Sequence, residues 1–166
     1  MTQLETTLLF KSDAWERALP DLRARIDKAL QAVFAAEALP MKVAEIAIVL
    51  ADDTFVQDLN HRYRGKDKPT NILSFAEFET VAQMAPAAKL GEEVHVGDMV
   101  LAYETMAKEA IQQGKSLADH LSHLLVHGAL HLLGYDHIDP QEAEVMEGKE
   151  IAILAKLGIA NPYLTD

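Results

Sequence analysis

The sequence predicts an α+β fold in one domain, residues 1–166, and three observations predict it. The chain has 166 residues, the size of one compact unit. Its strand-like segments all fall before residue 102, and three helical patterns follow them in succession. Hydrophobic residues make up 49% and charged residues 25%, enough for a packed core and too apolar for disorder.

The elements follow in order. Residues 3–10 alternate weakly and read as a strand. Pro20 and Asp21 mark a helix start. Leu22, Ile26, Leu30, Val33 and Phe34 then recur with helical spacing, to about Leu39–Pro40. Residues 43–50, VAEIAIVL, are a buried-strand run. Asp52 or Asp53 caps a short helix carrying Phe55, Val56 and Leu59. The polar stretch Arg62–Thr70 reads as a loop, Thr70–Phe75 as β-rich, 79–93 as a flexible excursion and 96–101 as a strand. Helices are expected over about 102–113, 116–133 and 139–157, stopped by Gly114, Gly134 and Gly158.

Composition excludes several classes. With no cysteine there is no disulfide framework, thiolate cluster or cysteine nucleophile, and a reducing cytoplasm is the expected compartment. No apolar run approaches the ~20 residues that span a bilayer, and the first residues carry no secretory pattern. The net charge of −11 argues against a general polyanion binder. The charge is uneven, however. Residues 1–68 hold 10 basic and 11 acidic side chains, and residues 69–166 hold 5 and 15. Four of the basic residues, Arg62, Arg64, Lys66 and Lys68, crowd one segment with only Asp67 against them, a local basic patch.

Histidine carries the chemistry. Five of the seven histidines lie between 120 and 137: His120, His123, His127, His131 and His137. His127 and His131 are four apart, so a helix puts both imidazoles on one face, about one turn (~5.4 Å) apart. Gly134 can end that helix in a left-handed conformation, and His137 can swing back to the same point. Three imidazoles suit a zinc ion at about 2.0–2.1 Å and leave a fourth position open. Asp136 could orient a ligand imidazole through its spare N–H. A lone His-x-x-x-His pair is common on helices by chance, and the third histidine raises the set above that. His120 and His123 read equally well as satisfied core or rim histidines. The spacing His-x-x-x-His-x-x-Gly-x-x-His also matches the metzincin proteases, whose general-base glutamate follows the first histidine. Here that position is Gly128, which carries no proton-transfer group.

The stretch HGALHLLGYDH, His127–His137, resembles the bacterial YbeY family of zinc endoribonucleases, also called rRNA maturation factors. Tyr63–Phe75, YRGKDKPTNILSF, is similar to that family's YRxxdkpTxVLSF motif, Val96–Val100 to its GDIV strand, and His123-Leu124 to the His-Leu before its metal helix. The resemblance covers most of residues 60–137. It implies a mixed, mainly parallel sheet of about four strands packed with five or so helices, the metal-binding helix central. It implies one Zn(2+) per chain, single-stranded RNA as substrate, maturation of the small-subunit (16S) rRNA 3′ end, and disposal of defective ribosomes. The small subunit and ribosome-assembly proteins would be the partners. It also implies that Arg64 lines the cleft and is needed for activity.

The residues then divide by role. His127, His131 and His137 are the expected metal ligands, and Arg64 the expected catalytic phosphate clamp, because its planar fork grips two oxygens where lysine cannot. Arg62, Lys66 and Lys68 are expected to guide the RNA backbone, each having a solvated loop charge as its bland reading. His123, Asp136 and Ser74 are expected to support the site from outside the ligand set. Two other readings stand beside the nuclease. A metallopeptidase-like hydrolase fits the ligands but lacks the base at Gly128. A non-catalytic ribosome-associated module with a structural zinc needs a fourth protein ligand that the spacing does not supply.

Overall fold

Alternation of side chains along two central strands decides the layering. In β2 (Val43–Ala51), Ile46, Ile48 and Leu50 are wholly buried on one face, while Ala51 is buried on the other. In β4 (Glu93–Ala102), Met99 and Leu101 join the first face, and Val100 and Ala102 the second. Strands apolar on both faces belong inside a sheet covered on both sides. β1 (Gln3–Phe10) and β3 (Ile72–Ala76) take the edges, giving the order β1-β2-β4-β3. β1, β2 and β4 run parallel, and β3 is antiparallel to β4. The structure, a computed structural model, describes residues 2–91 and 93–164.

Seven α-helices pack on this sheet among the described residues: α1 (Ala14–Ala18), α2 (Leu22–Ala35), α3 (Asp53–Arg64), α4 (Ala85–Leu90), α5 (Tyr103–Gln112), α6 (Leu117–Leu132) and α7 (Pro140–Lys156). The main core lies between one sheet face and α2, α6 and α7; a smaller core under α3 gathers Val56, Leu73, Val100, Ala51 and Ala102. α6 is the central helix, buried almost all round, and it touches α2, α5, α7 and β3. Gly128 permits this contact. A Cβ there would stand 2.7 Å from Met99 Sδ, 2.8 Å from Ile72 Cδ1 and 3.0 Å from Ser74 Oγ. Any side chain there would have to push back the ends of Met99, Ile72 and Ser74 on the β3–β4 edge.

The α+β class and the mixed, mainly parallel four-stranded sheet agree with expectation, and the boundaries differ at particular places. Asp52, not Asp53, caps α3, accepting from Phe55 N at 2.8 Å. Asp53 instead accepts from the Thr105 amide and hydroxyl at 2.9 Å each and ties α3 to α5. α3 continues through Arg64, so Arg62 and Arg64 sit on its last turn rather than in a loop. Their polarity hides the helix, since only Val56 and Asn60 of α3 are buried. α2 stops at Ala35, where the Ala36 amide closes a tight turn on Val33 O at 3.1 Å. The expected excursion 79–93 contains a 3-10 turn (Val81–Met84) and α4, pinned by the fully buried Met84, and β4 begins at Glu93. α1 was not legible in the pattern. It exists because Trp15 is wholly buried and donates its indole N–H to Ala51 O at 2.9 Å. No described helix is long and apolar enough to cross a membrane.

Candidate metal centre and cleft

α6 carries His127 and His131 on one face, their ring centroids 4.6 Å apart. Beyond Leu132 the backbone reverses at Gly134, whose φ of +97° favours glycine. A Cβ at Gly134 would also meet Glu79 O at 2.8 Å. The reversal is locked by the Tyr135 amide on Leu130 O at 3.0 Å, and His137 returns to within 5.0 Å of His131 and 5.4 Å of His127, ring centre to ring centre. One ligand nitrogen from each of the three histidines lies within 4.8 Å of the others.

Two fixed partners orient the α6 pair. His127 Nδ1–H donates to Glu150 Oε1 at 2.6 Å, and His131 Nδ1–H donates to Tyr135 O at 2.9 Å. With both protons on Nδ1, the two Nε2 atoms face each other at 3.0 Å as bare lone pairs. Two acceptors at that distance repel unless a cation lies between them. The separation is close to the ~3.3 Å edge of a tetrahedron with bonds of about 2.0–2.1 Å. The donor set therefore fits a tetrahedral, nitrogen-loving metal ion. Burial first, and then neighbouring His127, hold the His131 imidazole below its ordinary range, so the metal-binding neutral form is favoured.

Glu150 is wholly buried on α7. Burial alone would raise its carboxyl, but hydrogen bonds from His123, His127 and Tyr163 outweigh that and hold it down to about 2. Its Oε1 stands 3.6 Å from His123 Nε2, and its Oε2 accepts from the Tyr163 hydroxyl. The anchor expected of Asp136 thus falls to Glu150 and to a backbone carbonyl. Asp136 itself accepts from the His137 amide at 2.8 Å. Neither Glu150 nor Tyr163 was anticipated. Glu150 had a signal, because it interrupts the buried stripe Met146, Ile153, Leu154 at helical spacing. Tyr163 had none, because only the fold brings it near α6.

A cavity of about 470 Å³ opens over the three histidines. Arg64, Ser74, His123 and Asp136 line it with them, so these sequence-predicted residues share one cleft. Arg62, Lys66 and Lys68 do not line it. Arg62 pairs with Asp58 at 3.2 Å on the exposed side of α3, and the two lysines are exposed just beyond. His120 lies off the cleft, buried, with Nε2 on Glu109 Oε1 at 2.9 Å. Asn71 lines the cavity and donates to the same carboxylate at 3.0 Å.

Comparison with protein families matches residues 10–158 to the family described as Endoribonuclease YbeY. The chain belongs to the YbeY family. The match runs from the end of β1 through α7 and takes in Arg64, the three histidines and Glu150. Among YbeY relatives, the Endoribonuclease YbeY of Paramagnetospirillum magneticum is 53% identical over 90% of each chain. That of Parvibaculum lavamentivorans is 46% identical over 98% of this chain and 86% of its own. The solution structure of TM1509 from Thermotoga maritima shares the fold, with a TM-score of 0.53, 16% identity, and coverage of 98% of this chain and 97% of that one.

Proposed function

We propose that this chain is a zinc-dependent endoribonuclease for single-stranded RNA, acting in the cytoplasm on the 3′ end of small-subunit (16S) rRNA and in ribosome quality control. One observation carries the nuclease reading: the two Nε2 lone pairs 3.0 Å apart open onto the cavity that Arg64 lines. Family membership supports RNA as the substrate, and the motifs at 63–75 and 127–137 support the ribosomal role. The small subunit and ribosome-assembly proteins are the proposed partners.

His127, His131 and His137 would hold the metal, one per chain. When bound, zinc supplies a Lewis acid for a phosphoryl oxygen and lowers the pKa of coordinated water. Glu150 and Tyr135 O keep the α6 imidazoles in the tautomer that leaves Nε2 bare. Arg64 clamps a non-bridging phosphate oxygen and offsets the charge that builds as the backbone is cleaved. Ser74 offers a hydroxyl on the cleft wall, and Lys66 and Lys68 attract the strand from outside. The metzincin base, a glutamate directly after the first histidine, is missing here. Gly128 faces the sheet, where no glutamate fits, and Glu150 is buried with both oxygens engaged. The test is cleavage of a labelled single-stranded RNA together with metal analysis. Arg64→Glu should keep zinc and lose cleavage, and His131→Ala should lose both. Full cleavage by metal-stripped protein would overturn the reading.

A further inference from the structure

The segment after α7 brings Tyr163 back to the cleft from outside every motif named above. Its amide donates to Asn161 Oδ1 at 2.8 Å in a tight turn. The ring packs edge-on against His123, centroids 5.6 Å apart, and the hydroxyl donates to Glu150 Oε2. Glu150 is the only wholly buried carboxylate among the described residues, and its other oxygen holds His127. A carboxylate satisfied at one oxygen can rotate. One satisfied at both cannot do so without leaving a buried charge unpaired.

We propose that Tyr163 is a positioning residue for the metal centre. By binding Glu150 Oε2 it fixes the carboxylate so that Oε1 keeps the proton on His127 Nδ1 and directs Nε2 toward His131. The inference rests on the metal reading above, and it assigns a specific task to the C-terminal segment. Partners one shell beyond the ligands typically change metal affinity by about 10–100-fold.

The experiment uses the full chain and the variants Y163F, E150Q and Y163F/E150Q. The first readout needs no metal. The ¹⁵N shifts of the His127 ring in metal-free protein should report the Nδ1–H form in wild type and move toward a tautomer mixture in Y163F, with His131 unmoved. The second is zinc affinity by chelator competition, expected to fall about 10-fold in Y163F. In the E150Q background, Y163F should have no further effect, because Tyr163 acts through Glu150. Calorimetry checks that Y163F, which loses a single oxygen, still melts cooperatively. Unchanged shifts and affinity in Y163F would overturn the proposal. So would an equal loss in the E150Q background, or a change confined to KM for RNA, which would make Tyr163 a base-stacking surface. If wild type binds no zinc but Y163F still shifts the His127 tautomer, the zinc reading fails and the positioning role stands.

Discussion

Two buried residues set how the protein meets acid. Burial, the largest influence, lowers the His120 imidazole against the opposing pull of Glu109. The unfolded chain therefore takes up a proton near pH ~6.5 that the folded chain refuses, and the stability from neutral His120 is lost as pH falls through that value. Glu150 is held at about 2 against its ordinary 4.5, so its contribution is present above 4.5 and lost from there down toward 2. Denaturant midpoints measured from about pH 7 downward should therefore fall in two steps, and His120→Asn should shrink the upper one, to which the buried His131 also contributes. A second residue-level expectation concerns Arg64. Arg64→Lys keeps the charge but loses the planar fork, so cleavage should fall by roughly 10-fold or more with zinc content unchanged. The clustering of His127, His131 and His137 was legible because helical spacing and a glycine stop act locally. Glu150 and Tyr163 reach them across 23 and more residues of chain, and spacing carries no trace of that contact.

At the scale of elements, α6 is held by its cap and by one missing side chain. Ser116 accepts from Asp119 N at 3.1 Å and starts the helix, so Ser116→Ala should cost about 1 kcal/mol. Gly128→Ala would place a methyl against Met99, Ile72 and Ser74, a strain of about 1–3 kcal/mol. For a chain this size that is roughly 2–4 °C of melting temperature per kcal/mol, readable by calorimetry. The same variant should also weaken cleavage, since the Ser74 hydroxyl, which lines the cleft with His127, would have to give way. Elements with strong period were readable from the chain: β2, β4, α5, α6 and α7. α1 was not, because one buried tryptophan makes a helix too short to have a period. The last turn of α3 was missed because its residues are polar and solvated, so the segment that carries Arg64 reads as a loop.

Across the whole molecule, an acidic body carries a small basic approach to its cleft. With Arg62 engaged by Asp58, Arg64, Lys66 and Lys68 are the cations of this segment left, among the described residues, to neutralise phosphates. For single strands each contact contributes about −0.7 to the salt slope, so log K against log salt should have a slope of roughly −2, measurable by fluorescence anisotropy. A slope several times steeper would mean that the strand reaches a surface beyond this cleft. The overall class was legible from the order of strands and helices. The pairing order β1-β2-β4-β3 was not, because it depends on contacts between segments far apart in sequence. The placement of Glu150 has one more consequence, in the timing of synthesis. It lies 23 residues after His127. At about 5–20 residues per second, roughly 1–5 s pass between the synthesis of His127 and that of the carboxylate that orients it. Through that interval His127 is free to take either tautomer, and the histidine triad is oriented only when α7 docks. A half-made chain therefore carries the histidines without the competence to use them while it is still attached to a ribosome.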